Sequence, residues 1–157
     1  MMFRVFAAML FFAWSGASIA QPVDGAAIFK RCVACHQPNG KGIPGSYPPL
    51  KGHLGRLASS AVGREYLIMV LSAGLVGEIK IDTQTYRGLM PAQKGLKDAE
   101  MAAVLNHVLT SWSTRTLRKG WAPFTANEVG LVRNKYKSFG ASDVAAIRRK
   151  VPQAGVK

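Results

Sequence analysis

Cysteine is scarce in this sequence: Cys32 and Cys35 are the only two in 157 residues. A framework of structural disulfides is excluded, and so is a zinc site made from four thiolates. Acidic residues are few as well, eight against 21 lysines and arginines, for a formal net charge of +13. No acid–base pair or nucleophile set stands out that would support substrate chemistry. Long apolar runs are confined to the start, where Val5 to Trp14 is almost free of polar residues. Nothing similar follows, so no membrane-spanning helix is expected after it.

That start reads as an export signal. Arg4 supplies the charged end, Val5–Trp14 the apolar middle, and Ser15-Gly16-Ala17-Ser18-Ile19-Ala20 the small residues a signal peptidase accepts. Residues 1–20 are therefore expected to be a signal peptide cut after Ala20. A retained anchor is the rival, but the run falls short of the ~20 residues that span a bilayer. The 157-residue chain without its first 20 has 137, enough for one domain, and losing Arg4 takes the charge from +13 to +12. Such a surface attracts nucleic acid, anionic membrane or an acidic protein face, or is merely solvated. For an exported protein, nucleic acid is not an expected partner.

The two cysteines stand in Cys32-Val33-Ala34-Cys35-His36, the spacing of a c-type haem attachment. In that chemistry each thiol adds across a haem vinyl group, and the adjacent imidazole becomes the proximal iron ligand. Two other readings compete. A dithiol redox pair normally sits in a strand–helix–strand context, which is missing here. A zinc site would need His36 plus His53 or His107 to complete four ligands.

Along the chain, Asp24 can cap a helix from about Gly25 to Cys35, with Ile28, Phe29 and Val33 on its apolar face. From Gln37 to Ser60 periodicity vanishes among glycines and prolines, which predicts a long irregular loop wrapped around something. A carbonyl in Pro48-Pro49-Leu50 could orient the His36 ring. A second helix is expected from Gly63 to Gly74, then a polar connector from Glu78 to Arg87. In Gly88-Leu89-Met90-Pro91, Pro91 keeps Met90 out of helical conformation. Its thioether is the expected sixth ligand, and a His/Met pair suits electron transfer. Met69 and Met101 lie on helix patterns, so only His53 rivals it. The strongest helix signal runs from Asp98 to Trp112, with Met101, Val104, Leu105, Val108 and Leu109 at spacings of three and four.

With these pieces in order, residues 23–112 resemble the class I cytochromes c. The likeness rests on Cys32–His36, Tyr47-Pro48-Pro49-Leu50, Gly88-Leu89-Met90-Pro91 and the closing amphipathic helix. It implies an all-α fold of three to four helices around one covalently bound haem c, the first and last helices crossing. It further implies Cys32 and Cys35 as the thioether residues and His36 and Met90 as the iron ligands. Pro49 matches the proline whose carbonyl orients the proximal histidine, and Gly25 and Phe29 match the positions that meet the last helix. His107 departs from the aromatic often found at that crossing, and Gln93 from a tryptophan. Haem c attachment on the outer side of the inner membrane implies a periplasmic protein.

The resemblance makes 22–113 a haem domain and leaves 114–157 as a basic extension. In the extension, Thr125 and Ser142 can cap two short helices. These cannot form a core alone and must pack on the haem domain, dock on a partner or stay loose. Similar tails occur in cytochromes that serve dehydrogenases. The expected function is one-electron transfer from a dehydrogenase to another cytochrome or terminal oxidase. The partner would present an acidic face, steered by cations that include Arg148, Arg149 and Lys150. A tightly held dehydrogenase subunit, or a ligand sensor or peroxidase-like enzyme with a displaceable sixth ligand, are the alternatives.

Overall fold

A computed structural model of the protein describes residues 22–151; the expected signal peptide, residues 1–20, lies outside them. Asp24 caps the first helix as its sequence suggests, Oδ1 accepting from the N–H groups of Ala26 at 2.8 Å and Ala27 at 3.2 Å. The segment is less regular than the single helix expected. α1 (Gly25–Phe29) tightens into a 3₁₀ turn at Lys30–Cys32 before α2 (Val33–His36).

The stretch 37–60 is irregular except for α3 (Leu54–Ala58). There Gly55 counts in the sequence as a breaker, yet it marks a close approach. An added Cβ would lie 2.6 Å from the Ser113 carbonyl oxygen, just beyond the last long helix. Leu54, Leu57 and Ala58 bury the rest of the α3 face. α4 (Ala61–Ala73) starts two residues earlier than the spacing predicts. The Ser60 hydroxyl accepts from the Gly63 N–H at 3.1 Å, and Gly74 ends the helix at φ 81°.

The expected polar connector is instead an antiparallel hairpin, a two-stranded addition to a mainly helical fold. β1 (Leu75–Ile81) pairs with β2 (Gln84–Met90) across the two-residue link Asp82–Thr83. Leu75, Ile79 and Ile81 alternate with Val76, Glu78 and Lys80, the period of a half-buried strand. Gly77 faces Gly88 in the register and thins that apolar row. α5 (Asp98–Trp112) matches its predicted span, with the Glu100 carboxylate accepting from the Lys97 N–H at 2.7 Å.

Beyond α5, the extension packs on the helical body. α6 (Ala126–Lys135) lies against α4 and α5, and α7 (Ala141–Lys150) against α4 and β1. Thr125 caps α6 as expected, whereas α7 begins after Gly140, whose N–H donates to Asp143 at 2.9 Å, and not at Ser142. Phe124, Val129, Val144 and Val151 are buried in the common core. Polar links reinforce the seam: Asn106 exchanges two hydrogen bonds with the Phe124 backbone, at 2.9 and 2.7 Å. The Arg64 fork takes both Glu128 oxygens at 2.6 Å. Among the described residues no helix is long and apolar enough to cross a membrane.

Candidate functional site

α2, the 43–50 loop, α3, α4, the hairpin and α5 surround a cavity of about 490 Å³. That volume is within the ordinary range of small-molecule sites, and its walls are mainly apolar. The residues singled out from the sequence meet here: Cys32, Cys35, His36, Pro49 and Met90 all line it.

Cys32 and Cys35 come from the 3₁₀ turn and α2, both as half-buried free thiols. Burial pushes the Cys32 thiol up, against a smaller opposing effect of Arg31. A raised pKa disfavours the free thiolate that dithiol exchange uses. Among the described residues no three His, Cys, Asp or Glu side chains are grouped to hold a metal ion. The zinc alternative therefore lacks a ligand set.

His36 is 6% exposed, and its Nδ1 donates to the Pro48 carbonyl at 2.9 Å. A carbonyl can only accept, so Nδ1 carries the proton and Nε2 keeps its lone pair. Burial moves the His36 pKa down, the Pro48 bond partly opposing, so the ring is neutral near pH 7. The orienting carbonyl is Pro48's, one residue before the Pro49 expected from the resemblance. A residue before proline is held extended, and successive carbonyls of extended chain point to opposite sides. A one-residue difference therefore reverses the direction. Pro49 lines the cavity instead.

Met90 is the last residue of β2, paired with Leu75, and not part of a free loop. Its surroundings are close-packed: the Gln93 N–H, three residues on, donates to the Leu71 carbonyl at 2.6 Å, and Gly74 approaches so closely that an added Cβ would meet the Met90 oxygen at 2.6 Å. The other two methionines of the described chain are elsewhere in the core, Met69 at 1% and Met101 at 0% exposure. His53, the rival sixth ligand, also lines the cavity. Its neighbours are Arg56 and Arg148, which with burial push its pKa down to about 4. His107 lies away from the cavity, at the α1–α5 crossing, its ring 5.7 Å from that of Phe29.

The cavity fits a flat apolar macrocycle. On the hairpin face toward it, Gly77 and Gly88 are opposite each other, and added Cβ atoms there would meet nothing within 4 Å. Two side chains at those positions would fill the space a ring needs. The sequence reading missed this wall because the paired glycines break the apolar alternation. It also missed Tyr66 and Arg148, which reach the cavity from α4 and α7.

Comparison with known proteins agrees. A family model described as cytochrome c matches residues 22–112. A cytochrome c-552 of Thermus thermophilus is 46% identical over 143 residues, covering 91% of this chain and 95% of its own. A second cytochrome c-552 of Thermus thermophilus is 47% identical over 128 residues, 82% of this chain and 96% of its own. Cytochrome c2 iso-1 of Rhodospirillum centenum is 43% identical over 58 residues, 36% of this chain and 47% of its own. A 143-residue match is longer than 22–112, so that likeness takes in part of the extension.

Proposed function

The chain belongs to the cytochrome c family, and from that premise we propose that it is a periplasmic one-electron carrier between a dehydrogenase and another cytochrome or oxidase. As a family member it is an electron-transfer protein with covalently bound haem c, and not an enzyme. In this reading Cys32 and Cys35 form the thioethers, and His36 and Met90 hold the iron from either side. Residues 22–113 make the haem domain and 114–157 the extension. When bound, haem c supplies a one-electron iron couple whose potential a methionine ligand raises.

The observation that carries this reading is His36. It is a buried, neutral imidazole fixed by the Pro48 carbonyl, with its free nitrogen on a cavity shared with Met90. The chain's contribution is rigidity. Pro48 sets the His36 tautomer and ring angle, as partners of metal-bound histidines do. The β1–β2 pairing and the close approach of Gly74 hold the Met90 backbone, and α4 and α5 supply apolar walls.

The test is an absorption spectrum of the protein matured in a host with haem c machinery. A thioether-type pyridine haemochrome, a far-red sulfur-to-iron band in the oxidised form and a reduced spectrum unchanged by carbon monoxide are expected. A rapid change with carbon monoxide would replace electron carriage by a ligand sensor or peroxidase-like activity.

An acidic docking face on the partner follows from the charge. Arg148 does not serve as expected, because its side chain turns toward the cavity; Arg149 and Lys150 are exposed. Arg31 and Arg87 are exposed at the cavity wall, near the exposed Leu89 and Tyr47. Arg31→Glu is expected to slow reduction by an acidic donor a few-fold at low salt. The difference should shrink near 0.15 M, where screening acts within ~8 Å. Stopped-flow rates equal to the parent's across the salt series would remove steering.

A further inference from the structure

Two long stretches of the chain carry no acidic residue. None stands between Asp24 and Glu65, and none between Glu100 and Glu128. The fold lays the later part of the first against the end of the second. A 3₁₀ turn, Thr114–Thr116, follows α5 and packs on α3. The Gly52 N–H donates to the Trp112 carbonyl at 3.2 Å, and the Thr116 hydroxyl donates to the Gly52 carbonyl. The Arg118 N–H then donates to the Ser59 hydroxyl at 3.1 Å. Arg64 continues the seam, donating to the Ala122 and Pro123 carbonyls at 2.9 and 3.4 Å.

Lys51, Arg115, Arg118 and Lys119 are exposed along this seam. The acids tied to it, Asp82 and Glu128, are already paired with Arg56 and Arg64. Between Ser59 and Arg64, Val62 is 42% exposed at the start of α4, and the half-buried Trp121 adds an indole. None of these four cations, nor Val62 or Trp121, lines the cavity. A protein face is matched in register by charges of both signs. This seam offers one sign and an apolar edge, the combination that holds a peripheral protein on anionic lipid. Indole rings settle at the membrane–water boundary. We propose that the seam is a docking surface for an anionic phospholipid bilayer. Lys51, Arg115, Arg118 and Lys119 meet the lipid phosphates, and Val62 and Trp121 rest among the headgroups. The inference goes beyond electron carriage and does not depend on the iron ligands. A carrier held in this way keeps Arg31, Arg87 and Leu89, on the cavity wall, outside the lipid contact. Bilayer and redox partner then engage different residues.

The test is co-sedimentation of the matured protein with vesicles of equal parts phosphatidylglycerol and phosphatidylcholine at low salt, read as protein in the pellet. Binding is expected to these vesicles and not to phosphatidylcholine alone. Each cation near an anionic surface strengthens binding about fivefold, so a variant combining Arg115→Gln, Arg118→Gln and Lys119→Gln should bind about a hundredfold more weakly. The control variant combines Lys94→Gln, Lys97→Gln and Lys137→Gln, three exposed positions with the same charge change. They stand at the other end of α5, a 15-residue helix about 22 Å long, where Arg133 of α6 reaches Asp98 and the Leu96 carbonyl. The control should lose less than about fivefold, because screening limits the reach of distant charges. Val62→Ser should weaken the binding that persists near 0.15 M salt a few-fold.

A parent that stays in the supernatant overturns the proposal. So do equal losses in the two triple variants, which would reduce the attraction to net charge, or Val62→Ser bound as tightly as the parent near 0.15 M salt. Release by inorganic phosphate at an ionic strength where chloride releases nothing would make the seam a site for a free anion, and overturns it too. Slower reduction of the Arg115, Arg118 and Lys119 variant by an acidic redox protein, without vesicles, would give the seam to a protein partner instead. If that variant fails to mature, Lys51→Gln alone should bind about fivefold more weakly, and unchanged binding there overturns the proposal. The pyridine haemochrome reads the haem assignment separately, and its outcome leaves the sedimentation result standing either way.

Discussion

Met90→Ala is expected to abolish the far-red sulfur-to-iron band and to let carbon monoxide change the reduced spectrum within the mixing time. The reduction potential should drop by a sizeable part of the roughly 0.8 V over which axial ligands set haem potentials. The expectation follows from position. Met90 is the one methionine of the described chain that lines the cavity, and Met101 is turned into the core, its sulfur accepting from the Ser72 hydroxyl at 3.6 Å. No other thioether can replace it without unpacking α4 or α5. Because the β1–β2 pairing holds the backbone at Leu75 and Met90, the substitution should empty the ligand position and leave the strand in place. Truncating a half-buried methionine should cost about 1–2 kcal/mol, less than the 2–5 of a full core site. Met90→Leu separates the two effects, since it keeps the apolar volume and loses the sulfur. It should show the same spectrum with a smaller stability loss. A band that survives in both variants would move the ligand elsewhere, and His53→Ala would then be the variant that removes it.

The candidate ligands share a cavity, and they stood out in the sequence because haem attachment uses short, local patterns. Two thiols, an imidazole and a proline-bounded methionine need only a few fixed residues each, and the structure brings all of them to one cavity. Asp24 and Gly74 were legible for a similar reason, since a helix end is specified within one turn. What was not legible depends on partners distant in sequence. The hairpin was hidden by Gly77 and Gly88, whose missing side chains make sense only once a ring is expected against them. Gly55 resembled a helix breaker because the Ser113 backbone that crowds it comes 58 positions later. Pro48 and Pro49 present equivalent carbonyls in sequence, and only the fold decides which one faces His36.

The basic tail shows the same limit. Arg148-Arg149-Lys150 reads as one patch, and charge counting treats its members alike. Helical periodicity separates them only after Val144 is known to be buried, because the inward face of a short helix is set by what it packs against. Packing on α4, α5 and β1 also supplies the burial that α6 and α7 lack by themselves. Of the three fates open to the extension, docking on its own chain is the one observed.

Gly25→Ala should invert the usual rule for glycine in a helix. In an open helical position the exchange stabilises by up to about 1 kcal/mol. Here the crossing of α1 over α5 leaves no room. An added Cβ would lie 2.7 Å from the Ala103 carbonyl carbon and 2.9 Å from the His107 Cβ, and closer still to the Ala103 oxygen. A backbone carbonyl cannot swing aside as a side-chain end can, so the helices must separate. Separation also strains the ring contacts that fasten the crossing, Phe29 against Trp112 at 5.0 Å and His107 against both at 5.7 Å. Overpacking of this kind costs about 3 kcal/mol, which for a domain of this size lowers the Tm by roughly 10 °C. α1 leads directly into Cys32, so the variant should also carry less attached haem per chain when matured at elevated temperature. Thermal denaturation followed at the haem absorbance gives the answer. An unchanged or raised Tm would mean that α1 and α5 do not meet at Gly25, and the crossing that holds the cysteines against the core would have to be redrawn.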